Sequence, residues 1–156
     1  MSEKARFLKK IQEQQSHRGP YDAKYAADIA EFQRRTVQLQ DDMATWLTDT
    51  GVSIESIPAS VVELLAGGTA FNATRIVLGY ENRKVKFTPL FLYGQGVTGC
   101  VEVSLCIDGG VNPRYRLFMR SGEEANWTWS SVQSATVRRD AFCEDAFFNM
   151  IVDLLP

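Results

Sequence analysis

The chain has 156 residues, 45% hydrophobic and 11% aromatic, enough to bury about 68–70% of its unfolded surface in one core without metal or disulfide staples. Its formal net charge of -2 argues against a strongly cationic nucleic-acid binder, and its composition excludes wholesale disorder. Three cysteines, Cys100, Cys106 and Cys143, suit a reducing compartment, being an odd number in a chain that needs no covalent help.

The opening "MSEKARFLKKIQEQQ" is charged and lacks the apolar stretch of a leader, and no run approaches the ~20 apolar residues of a membrane span. The expectation is a cytoplasmic protein that does not enter a membrane, in which the sequons at Asn72 and Asn126 are chance matches. The spacing predicts a short helix carrying Phe7, Leu8 and Ile11, broken at His17–Pro20. A longer helix is predicted from about Asp22 to Asp49. Its positions Tyr25, Ile29, Phe32, Thr36, Leu39, Met43 and Trp46 step alternately by four and three, keeping one stripe on a partner surface. A homodimer seam uses the same spacing, but the bulky aromatics suit docking on a sheet. "PASVVELLAGG" reads as another short helix, with Pro58 in its first turn and Gly67–Gly68 as its stop.

From Ala73 the period shifts toward two, and five strands are predicted, at about 73–80, 84–93, 97–107, 114–120 and 126–132. Their short, turn-rich connectors imply an antiparallel meander. Alternation sends Ile76, Leu78, Val85, Phe87, Phe91, Tyr93, Val101, Val103, Leu105, Ile107, Tyr115, Leu117 and Met119 to one buried face. Lys84, Lys86, Thr88, Glu102, Ser104, Arg114, Arg116 and Arg120 fall on the other. A mostly apolar closing helix is predicted from Asp140, its N-cap. The expected fold is therefore a single α+β domain over 1–156. Its N-terminal helices occupy 1–68, a five-stranded antiparallel meander sheet 69–139 and a C-terminal helix 140–156, with the helices mainly on one sheet face.

"GQGVTGCV", Gly94 to Val101, matches G-x-G-x-x-G-x-V. A dinucleotide loop of this pattern must lead from strand to helix, and here a strand follows. A kinase-type loop needs a lysine on the next strand, yet no lysine occurs after Lys86. The reading is a hairpin whose glycines supply positive φ and a bulge. With one histidine, His17, in the whole chain, no catalytic triad or multi-histidine metal site can be assembled around several imidazoles. Adjacent carboxylates at Asp41–Asp42 and Glu144–Asp145 diverge on a helix. No catalytic residue, metal ligand or cofactor is assigned, and the chain leans away from being an enzyme.

The remaining signal is electrostatic. From Thr69 to Arg139 nine Lys and Arg face five Asp and Glu, whereas Asp140 to Pro156 holds four acids and no base. A basic sheet face of Lys84, Lys86, Arg114, Arg116 and Arg120 suits an acidic protein partner. The expected function is a small non-catalytic protein-binding module of accessory, chaperone-like or toxin-neutralising type, using that face or the apolar terminal helix. One alternative is a ligand-binding protein or enzyme with a cavity lined by Phe87, Phe91, Tyr93, Trp127 and Trp129 between curved sheet and long helix. Another, disfavoured by the net charge, is nucleic-acid binding through the basic face.

Overall fold

The computed structural model describes residues 2–63, 69–94, 96–122, 127–133 and 139–152, with the side chains of 12–22 and 69 left aside. Among these residues one long helix, α1 (Glu3–Trp46), precedes seven strands, and a short helix, α2 (Glu144–Ile151), follows them. The strands are β1 (Ser53–Glu63), β2 (Thr69–Tyr80), β3 (Arg83–Phe91), β4 (Cys100–Ile107), β5 (Gly110–Phe118), β6 (Thr128–Ser131) and β7 (Asp140–Ala141). They form one antiparallel sheet in chain order. The meander stands, but it has seven strands where five were predicted. The stop at Gly67–Gly68 lies outside the described residues.

Helix α1 starts where Ser2 Oγ accepts from Ala5 N–H at 3.1 Å, an N-cap. The predicted break at His17–Pro20 is absent, and the backbone is helical throughout. Leu8 and Ile11 occupy the same heptad positions as Ile29 and Tyr25, so both segments share one helical phase and the bond lost at Pro20 is a local cost. Phe32, Thr36, Leu39 and Met43 are buried within their own chain against the sheet. Thr36 is tolerated there because its hydroxyl donates to Gln33 C=O at 2.9 Å.

The segment predicted as a third helix is strand β1. Eleven consecutive pairs join it to β2, and its run of Ile54, Ile57, Val61 and Val62 packs well on a pleated surface. Pro58 is compatible because β1 is an edge strand, where one side of the backbone needs no donor. The closing helix begins at Glu144 rather than Asp140, whose pairing with Trp129 makes it part of β7. Beyond it, Phe142 N–H is held by Trp127 C=O at 2.7 Å.

The main core lies between the helices and one sheet face and contains Ile76, Leu78, Val85, Phe87, Val101, Val103, Leu105, Leu117 and Met119, as alternation predicted. Phe91 departs from it. A register shift between Pro89 and Phe91 inserts a residue and reverses the faces beyond it. Leu92 takes the core position, while Phe91 joins Val97, Cys100 and Phe118 in a second cluster. Polar side chains of α1 then fasten the sheet ends. Tyr93 OH donates to Asp28, Gly122 N–H to Glu31 at 3.2 Å, Gln33 to Asn72 C=O at 2.7 Å and Arg35 to Arg120 C=O at 3.2 Å.

The glycine loop serves this packing. Val97 N–H closes a tight turn on Gly94 C=O at 3.0 Å, and Gly96 takes φ +76°. A Cβ on Gly99 would stand 2.6 Å from both Met119 Cγ and Phe32 Cδ1. Gly99→Ala is therefore expected to destabilise the fold by about 1–3 kcal/mol through overpacking, measured by urea unfolding. Tyr93→Phe leaves the Asp28 carboxylate, 6% exposed, without this donor, and a loss of about 1–3 kcal/mol is expected in the same assay.

Candidate partner-binding face

Opposite the helices, the register lays out the outer sheet face row by row. At one end Ser53, Gly79, Lys84, Cys106 and Val111 follow one another across β1 to β5. In the next row come Glu55, Val77, Lys86, Ser104 and Pro113, and then Thr88 beside Glu102, Arg116 and Ser130, while Ile57 pairs with Arg75 where β2 has left β3. Arg114, two residues from Arg116, shares this face by alternation, and a register shift between Val103 and Ser104 sets Pro113 there as well. The result is two basic edges, Lys84 and Lys86 on β3 and Arg114 and Arg116 on β5, separated by β4 and hence by about 10 Å. These four cations stand against Glu55 and Glu102.

Lys84 is exposed, and Lys86, Arg75, Arg114 and Arg116 are half-buried. The Nε atoms of Arg75 and Arg116 are fully buried without a hydrogen-bond partner. Their stems therefore lie against the sheet while the side chains reach solvent farther out, the usual posture of a long cationic side chain over apolar surface. Ser104, buried on β4, donates to Glu102 at 3.4 Å. Arg120, the fifth residue assigned to this face, sits past the end of β5 and gives its Nε–H to Gly96 C=O at 2.9 Å. Its first role is to brace the glycine loop.

Of Phe87, Phe91, Tyr93, Trp127 and Trp129, expected around one cavity, Phe87 and Trp127 lie in the main core with Tyr93 and Trp129 packed against it, and Phe91 stands apart. Phe87 packs on Phe147 with ring centres 6.2 Å apart, Phe91 lies in the second cluster, and Tyr93 is tied to Asp28. Trp127 packs on Phe32 at 6.3 Å, under Arg35. Trp129 meets Tyr115 edge-on at 5.7 Å. The bulge before Phe91 sets that ring apart from the other four. On the outer face Phe118 is buried and capped by Arg139, 4.1 Å from its ring centre, so its ring offers no open stacking surface.

Two polar elements went unassigned from sequence. The first is the buried pair Asp28 and Glu63, which accept the Tyr93 hydroxyl and, at 3.1 Å, its backbone N–H. Burial foremost, then the bond to Asp28, raises the Tyr93 pKa far above the usual phenol range. The second is Cys100 beneath the basic face. Burial pushes its thiol up to about 12, while Arg116 and Arg139 pull it down and Glu102 pushes it up. No local spacing marks either element. Among the described residues no three His, Cys, Asp or Glu side chains gather where they could hold a metal ion, and no helix is long and apolar enough to cross a membrane. Comparison of the chain with family models, curated proteins and solved structures finds no match.

The three thiols are free and graded in exposure. With a thiol reagent at about pH 8, Cys143 is expected to react first, Cys106 next and Cys100 only after denaturation. The raised Cys100 pKa adds stability that is fully present below its unfolded value of 9.0 and is lost as pH climbs toward about 12. Unfolding free energies between about pH 8 and about pH 11 should accordingly fall less steeply for Cys100→Ala than for the parent chain.

Proposed function

We propose that this protein is a non-catalytic module that binds an acidic protein partner through the outer face of its sheet. The observation that carries this reading is the pair of basic edges, Lys84–Lys86 and Arg114–Arg116, on the sheet face opposite the helices. A positive face on a chain of net charge -2 gives the molecule a directional field, which steers an acidic partner and fixes its orientation. The capped Phe118 ring favours a protein partner over a single-stranded nucleic acid, whose bases need open aromatic platforms. Accessory, chaperone-like and toxin-neutralising roles all fit such a surface. Three free thiols accord with work in the cytoplasm, a reducing compartment.

The test compares capture from one lysate by the tagged parent chain and by a Lys86→Glu/Arg114→Glu variant of unchanged melting temperature. The expected result is an acidic protein held at about 0.1 M salt, released at about 0.5 M and absent from the variant. Recovery of the same proteins by the variant would remove this face from the interaction. Recovery of nuclease-sensitive material in place of protein would replace the reading with nucleic-acid binding.

A further inference from the structure

The basic face is not flat. At the end bounded by the β2–β3 and β4–β5 turns it sinks into an open concavity of about 270 Å³ lined by Asn82, Lys84, Lys86, Cys106, Asp108 and Val111, with Gly109 completing the rim. Its cause is a difference in side-chain length along one row. Cys106 lies directly between Lys84 and Val111, so a short side chain floors a gap between longer ones. The end is closed by a two-residue turn in which Asp108 and Gly109 both have positive φ, 51° and 81°, the conformation that a tight right-twisted hairpin requires.

Resting on the acidic-partner reading, we propose that this concavity seats one carboxylate of an extended acidic segment that lies along β4. Lys84 and Lys86 bring two positive charges to the rim and Asp108 one negative charge, leaving a balance of one, which matches a carboxylate. A phosphate dianion would carry surplus charge toward Asp108. Lysine ammonium groups also act as point charges, without the planar fork by which arginine grips phosphate in two bonds.

Period sets the rest of the pattern. Alternate residues on a strand are about 6.7 Å apart, and so are same-side residues of an extended ligand. A ligand residue over Cys106 meets Lys84. Two residues on, over Ser104, the next same-side position lies between Lys86 on β3 and the Pro113–Arg114 side of β5. The third position falls on Glu102, which stands opposite Arg116 and repels a further carboxylate. The segment recognised thus carries acids at two alternate positions and a non-acidic residue at the third.

The test uses two synthetic peptides of identical composition, Ser-Glu-Ser-Glu-Ser-Ser and Ser-Glu-Glu-Ser-Ser-Ser, titrated at about 20 mM salt and followed by the backbone amide shifts of β3 and β4. The alternating peptide is expected to bind about five-fold more tightly than its isomer. Lys84→Ala and Lys86→Ala should each weaken it by about two- to five-fold, and Lys24→Ala, on an exposed turn of α1, should not. Equal affinity of the two peptides, or indifference to both lysine changes, would overturn the inference. Displacement by inorganic phosphate far better than by acetate at equal ionic strength would overturn it too, in favour of a phosphate site. Should both peptides fail while the lysate partner still depends on Lys86 and Arg114, this inference falls and the broader reading stands.

Discussion

How closely α1 can approach the sheet is set where Phe32 meets the loop between β3 and β4. The ring is fully buried, touching Phe71 edge-on at 6.3 Å and Trp127 at 6.3 Å, and it fits because position 99 has no side chain. A methyl group there would displace the ring or Met119, and through the ring the helix. The hydrogen bonds that Asp28 and Glu31 accept and that Gln33 and Arg35 donate are made on the turns around Phe32. Each depends on helix and loops standing at the separation this contact sets, because a hydrogen bond tolerates only a few tenths of an ångström.

Covering one face of the sheet leaves the other to different physics. On the covered side, apolar burial at about 25 cal/mol per Å² favours branched and aromatic side chains. On the outer side the same strands carry long cations whose stems shield small or apolar neighbours such as Val77 and Ser104, both buried. Two register shifts adjust this division. One sends Phe91 outward to cover Cys100, and the other sets Pro113 opposite Ser104 on the outer face, beside Arg114. Bulges of this kind re-aim side chains without breaking the sheet.

Charge is segregated in the same way. Of the buried carboxylates, Asp28 faces the tyrosine hydroxyl and Glu63 its backbone N–H, so both act as acceptors inside the fold. The cations of the outer face have Glu55 and Glu102 as their acidic neighbours on those strands and therefore project a net field. The short side chain of Cys106 floors the concavity beside Lys84 and Lys86. Acceptors inward and donors outward are thus consequences of which sheet face the helices occupy.

Much of this was legible in the residues. The period-two runs from Ile76 to Met119 place most core positions correctly, and the turn chemistry of "DGG" and "ENR" dictates hairpins, because alternation and positive-φ preference are local properties. The four-three stripe of α1 identifies the face that docks for the same reason. Lys84, Lys86, Arg114 and Arg116 could be assigned to one face by parity alone. Other features were invisible because their causes are distant in sequence. β1 looks helical until β2 pairs with it, and Asp140 looks like an N-cap until it pairs with Trp129. Phe91 belongs inward by parity until the bulge reverses it. The acceptors of Tyr93 lie 65 and 30 residues away. Local chemistry thus determined the elements, their faces and the sign of their charge. Strand pairing and packing decided the edges, the bulges and the concavity, since their free energy comes from contacts that no local window contains.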